Sequence, residues 1–116
     1  MSKIQASVSL RNDALGYIED YLKLINGLLK LTATELKVLA AFLEYDSQIC
    51  ATQRARKIVA EKLMMKNVAV LNNYVKALKD KGSIYKDASG LYRYNEIVSP
   101  KDDISSIEFL LKGTHD

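Results

Sequence analysis

NVAVLNNYVKALKDKGSIYKDASGLYRY, residues 67–94, changes its hydrophobic period once, and that change decides the fold. Leu71, Tyr74, Val75 and Leu78 recur at helical spacing and predict a helix, about 67–81, with one buried stripe. Asn67 suits its start, because a short carboxamide can accept a backbone N–H that the first turn leaves unpaired. Gly82 stops it, as a residue that takes the left-handed conformation without a Cβ clash. Ile84-Tyr85-Lys86 and Leu91-Tyr92-Arg93-Tyr94 read as two strands. Asp87-Ala88-Ser89-Gly90 between them is a turn, with Gly90 able to supply a positive φ. The order is therefore helix, glycine stop, strand, tight turn and strand, and the stretch is basic.

Working outward, Thr32-Ala33-Thr34-Glu35 is a capping box, which predicts a helix to about Tyr45. Leu36, Leu39, Phe42 and Leu43 share its buried face. After a short connection at Asp46-Ser47-Gln48, Thr52 caps a helix over about 53–65. It buries Ala55, Ile58, Val59 and Leu63, and its other face carries Arg54, Arg56, Lys57 and Lys62. Met64-Met65-Lys66 is the turn out of it, with the two methionines read as helix-end core. Residues 12–30 form a further helix, capped by Asn12 or Asp13. Its wide stripe of Leu15, Ile18, Leu22, Ile25 and Leu29 either faces the core or pairs with another helix. Residues 3–10, KIQASVSL, alternate as a half-buried strand or belong to a frayed terminus. Beyond Pro100, residues 103–112 carry a short amphipathic helix of Ile104, Ile107, Leu110 and Leu111. Segments 1–31, 32–98 and 99–116 together make one compact domain, mainly α with a small β-hairpin.

Composition narrows the function. At 48% hydrophobic and 27% charged, the 116 residues have the balance of a globular chain rather than a disordered one. One cysteine, Cys50, excludes a disulfide framework and a multi-cysteine zinc site; it reads as a small core or loop residue. One histidine, His115, excludes a His-rich metal site and cannot anchor a catalytic triad. Asp102 and Asp103 are adjacent and so point apart. With no glycine-rich phosphate loop, we expect neither an enzyme nor a bound cofactor or metal. A single thiol and the lack of a signal-like segment suggest the cytoplasm. Charge is unevenly spread. Residues 54–93 carry ten Lys/Arg against three Asp/Glu, residues 1–53 five against six, and residues 94–116 two against five. A basic middle between neutral and acidic ends is the footprint expected of a phosphate-binding face.

Residues 32–94 resemble a winged helix-turn-helix domain. TATELKVLAAFLE is similar to the first helix of such domains, and VLNNYVKALKDKGSI to their recognition helix and its exit. The resemblance implies a fold of winged helix-turn-helix type with an added N-terminal strand and helix. It also implies a recognition helix whose early exposed residues meet base edges in the major groove. Those residues are Asn67, Ala69, Val70, Asn72 and Asn73. Asn can pair bidentately with adenine, and Ala or Val can touch a thymine methyl. Arg54, Arg56, Lys57, Lys66 and Lys76 would reach phosphates, as would Lys86, Ser89 and Arg93 from the hairpin. Ser83 stands where a large apolar residue is usual, which predicts a less buried strand start. The expectation is a double-stranded DNA-binding regulator, bacterial or phage-encoded, working as a homodimer through helix 12–30, strand 3–10 or helix 103–112. The alternative is a winged-helix protein–protein interaction module in a replication or phage assembly.

Overall fold

A computed structural model of the chain describes residues 14–98. The expected strand at 3–10, the cap at Asn12 or Asp13, Pro100 and the helix at 103–112 lie outside them. Among the described residues, the helices are α1 (Ala14–Leu29), α2 (Ala33–Tyr45), α3 (Gln53–Lys62) and α4 (Val68–Asp80). An antiparallel hairpin follows, β1 (Ile84–Lys86) and β2 (Tyr92–Tyr94), then a 3-10 turn at Glu96–Val98. No described helix is long and apolar enough to cross a membrane.

The capping box forms and starts α2. Thr32 Oγ1 accepts from the Glu35 N–H at 3.2 Å, and Glu35 Oε1 accepts from the Thr32 N–H at 2.9 Å. Val38, Leu39, Ala40, Ala41, Phe42 and Leu43 are then buried in succession. A helix apolar on every side belongs at the centre of a fold, and α1, α3 and α4 all pack on α2. The stripe of Leu36, Leu39, Phe42 and Leu43 expected from sequence is therefore too narrow. Leu36 is only half-buried, whereas Ala40 and Ala41 are covered because their small size lets neighbouring helices approach.

The wide stripe of α1 faces the core. Tyr21, Leu22, Ile25 and Leu29 are buried, and the Tyr21 hydroxyl donates to the Ile97 carbonyl at 2.7 Å, so α1 also clasps the end of the hairpin unit. Burial raises the Tyr21 phenol above its ordinary pKa and keeps that donor protonated. After α1 the Asn26 carboxamide clamps Leu31 through both backbone groups, at 3.0 and 2.9 Å. At the far end of α2, Lys62 of α3 pairs with Glu44. At the near end, Lys81 donates to Glu35 Oε1 at 2.7 Å and ties the end of α4 to the start of α2. That contact, more than the cap, holds the Glu35 carboxyl below its ordinary pKa.

Two helix ends close by the same device. At the end of α4, Ser83 N–H reaches the Leu78 carbonyl and Gly82 N–H the Lys79 carbonyl, with Gly82 at φ +83. At the end of α3, Met65 N–H reaches Ala60 and Met64 N–H reaches Glu61, with Met64 at φ +56. Both are Schellman closures, but the second places a methionine where glycine is at ease. This ends α3 at Lys62 rather than near 65 and turns Met64 out to 90% exposure. Met64 is thus no core residue; Met65 packs partly against the core.

β1 and β2 pair as Ile84↔Tyr94, Tyr85↔Arg93 and Lys86↔Tyr92. A third segment joins them that the sequence did not signal: Cys50 bridges to Tyr92, its N–H on the Tyr92 carbonyl at 2.9 Å. Cys50 is buried, and desolvation pushes its thiol up to about 12, so it stays a neutral core group. The Tyr94 hydroxyl, also buried, donates to the Asp46 carbonyl at 2.8 Å. Ser83 corrects the expectation of an open strand start: it is 1% exposed, and its hydroxyl has no partner among the described residues.

Two substitutions test these strained and unsatisfied positions. Met64→Gly removes the left-handed Cβ penalty without losing packing and is expected to raise unfolding free energy by roughly 0.5–1 kcal/mol in urea melts. Ser83→Ala removes a buried unpaired hydroxyl and is expected to add about 1 kcal/mol. A lower urea midpoint in either case contradicts the corresponding assignment.

Candidate nucleic-acid interface

α4 is held by Asn67, whose Oδ1 accepts from the Val70 N–H at 3.1 Å. That bond commits the oxygen of one expected base contact to capping. Leu71, Val75 and Leu78 turn into the core, so Ala69, Asn73 and Lys76 fall together on the outer face at helical spacing. Lys76 pairs with Asp80 at 3.0 Å, one turn on, but both side chains are more than half exposed. Such a pair is worth little and exchanges readily for a phosphate. Val70 is 38% exposed on another side of the helix. Lys66 is exposed in the turn just before Asn67.

α3 lies beside α4. Thr52 Oγ1 accepts from the Ala55 N–H at 3.1 Å and sets its start, where Arg54 and Lys57 are exposed. Between the first turns of the two helices is an open groove of about 530 Å³ lined by Ala51, Gln53, Arg56, Lys57, Val68 and Asn72. Arg56 does not project freely from it. Its Nε donates to the Ala51 carbonyl at 2.8 Å and its Nη1 to Asn72 Oδ1 at 2.7 Å. Its guanidinium lies over the Tyr92 ring, 5.9 Å from the centroid, and Lys86 Nζ lies 5.7 Å from the same centroid. Ala51 offers its carbonyl from a left-handed backbone at φ +59. Arg56 is thus the joint where α3, α4 and β2 meet.

The hairpin turn is organised by Asp87. Its carboxylate accepts from the Ser89 N–H at 2.9 Å, the Ser89 hydroxyl at 2.6 Å, the Leu91 N–H at 3.0 Å and Arg93 Nε at 2.9 Å. The Ser89 hydroxyl, then Arg93, hold its carboxyl far below the usual carboxylate range. Ser89 and Arg93, expected at phosphates, thus also bond Asp87 within the turn, and Arg93 reaches the Gln48 carbonyl at 3.4 Å as well. Lys86 keeps its charge outward, apart from its contact with the Tyr92 ring.

Comparison of the chain with protein-family models, with curated proteins and with solved structures finds no match. Among the described residues no group of three or more His, Cys, Asp or Glu side chains could hold a metal ion.

Sequence reasoning placed Arg54, Lys57, Lys66, Ala69, Asn73, Lys76 and Lys86 on exposed surface, and there they lie. It missed Gln53 and Ala51 as parts of the groove. The Asp-x-Ser spacing at the turn, which favours a side-chain-closed loop, was the available signal for Asp87. No local signal could give the Arg56–Asn72 contact, which spans sixteen positions.

A carboxyl whose pKa is lowered by folding stabilises the native hairpin above its unfolded value, about 3.9, and loses that contribution as pH falls toward the folded one. Amide-exchange protection of Leu91 is expected to hold down to about pH 4 and decline below it. Asp87→Asn should loosen the turn already at neutral pH and remove the acid dependence. An unchanged decline in the variant would assign the effect to another group.

Proposed function

We propose that this chain binds double-stranded DNA as a winged helix-turn-helix protein, with α4 in the major groove and the β1–β2 hairpin along the backbone or minor groove. The observation that carries the reading is a set of cations free of ion pairs among the described residues. Arg54, Lys57, Lys66 and Lys86 lie exposed on α3, on the turn before α4 and on the hairpin, and Lys57 shares its groove with Asn72. Lys62 and Lys81 are engaged by Glu44 and Glu35, while Lys23, Lys30, Lys37 and Lys79 are exposed without ion pairs among the described residues on other parts of the fold. An α-helix with its side chains is ~10–12 Å across, which matches the ~12 Å major groove. Phosphate contacts from the free cations would supply affinity and register, and Ala69 and Asn73 would meet bases.

A regulator acting as a homodimer is the form of this reading we favour, because a single small module offers few contacts. α1 has committed most of its stripe to α2. Within the described residues its one exposed large apolar side chain is Leu28, at 65%, while Leu15, Tyr17, Ile18 and Leu24 are half-buried against the core. The competing reading, a protein-interaction module, draws on Met64 and Val70, which are exposed around the start of α4.

Fluorescence anisotropy with a mixed-sequence duplex across a salt series tests the proposal. Affinity should fall steeply as salt rises. Lys57→Ala and Lys66→Ala should each weaken all duplexes alike and lower the salt slope by about one. Asn73→Ala should weaken only a selected sequence, by ~1–3 kcal/mol. No binding at low salt would refute the DNA reading and favour a protein partner.

A further inference from the structure

Arginine has five donors and no acceptor. The 2.7 Å contact between Arg56 Nη1 and the Asn72 side chain therefore has only one chemical solution: the carboxamide oxygen faces Arg56. The Asn72 N–H₂ then faces away from the guanidinium. Arg56 is itself fixed, by Nε on the Ala51 carbonyl at 2.8 Å and by the Tyr92 ring beneath the guanidinium. Asn72 is exposed on α4, at the edge of the groove shared with α3. The carboxamide is thus oriented before any ligand arrives, and binding would not have to order it.

We propose that Arg56 is a positioning residue rather than a phosphate contact, and that with Asn72 it selects a base edge rich in acceptors, guanine above all. This rests on the DNA-binding reading. Asparagine recognises adenine by accepting from N6–H₂ while donating to N7. At Asn72 the accepting oxygen already holds a cationic donor, and that charge repels a second donor such as adenine N6–H₂. Guanine presents O6 and N7, both acceptors, to the outward N–H₂ and to the positive field behind it. Asn73, with no such partner among the described residues, keeps the two-way capacity that suits adenine. Two adjacent asparagines with the same sequence chemistry thus acquire different preferences from their neighbours.

The test is affinity selection from a randomised duplex library with the wild-type protein, Arg56→Lys and Asn72→Asp, followed by anisotropy on the selected duplex. Thermal melts check that each variant is folded. Wild type is expected to enrich guanine at one position. Asn72→Asp keeps an acceptor for Arg56 but replaces the outward N–H₂ by oxygen, and should lose that preference by about tenfold or more. Arg56→Lys keeps the charge but not the fork, and should lose the same preference at the same position. Full guanine preference in Arg56→Lys would overturn the positioning role, because a phosphate contact tolerates lysine. Adenine enrichment at the position lost in Asn72→Asp would overturn the acceptor selection. Side-chain amide spectra of the free protein give a readout independent of DNA. The Asn72 resonances should be shifted from those of Asn73 and move towards them in Arg56→Lys, and coincident wild-type resonances would overturn the clamp. A wild-type protein that binds no duplex removes the DNA reading and the base preference with it, while the amide spectra still decide the clamp.

Discussion

Burial of the middle of α2 on every side is the constraint from which the rest follows. A helix with Val38 through Leu43 covered in succession leaves only its two ends to water. It needs neighbours around it, and α1, α3 and α4 are those neighbours. The packing is close because the chain supplies small residues where helices meet, Ala40 and Ala41 on α2 and Ala55 and Ala60 on α3. Close packing in turn leaves α3 and α4 side by side, with their first turns opening onto one groove. The candidate site is a consequence of how the core is filled.

The hairpin is attached to this core through polar contacts as well as apolar area. Cys50 N–H meets the Tyr92 carbonyl, and the Tyr94 hydroxyl meets the Asp46 carbonyl. Each satisfies a backbone group, and one left buried and unpaired costs more than the net gain of an ordinary hydrogen bond. Asp87 completes the hairpin from within by drawing the turn onto one carboxylate. These contacts hold the hairpin against the helices, as the proposed binding of a regular duplex would require.

Charge on this chain divides into two kinds. Lys62, Lys81 and Arg93 are paired with Glu44, Glu35 and Asp87, and they join elements. Arg54, Lys57, Lys66 and Lys86 have no such partners among the described residues, and neither do Lys23, Lys30, Lys37 and Lys79 on other parts of the fold. The basic excess of residues 54–93 is therefore an imperfect guide to the site, because part of it is neutralised inside the fold.

The elements follow from local residue patterns. The Thr32–Glu35 box, the Thr52 and Asn67 caps, Gly82 and the Asp87–Gly90 turn each act within a few residues, so spacing alone announces them. The stripe of α4 was legible for the same reason, and with it the exposure of Ala69, Asn73 and Lys76. Whatever depends on neighbours distant in sequence came from the packed fold. It enclosed the middle of α2 on all sides, buried Ser83 and brought Cys50 to the hairpin. It turned Met64 outward through a left-handed helix end that carries a side chain in place of glycine. It also bound Arg56 to Asn72, so that a residue the sequence marks only as a cation became an orienting donor. Periodicity records which face of a helix is apolar; it does not record which side chain from another helix will stand opposite.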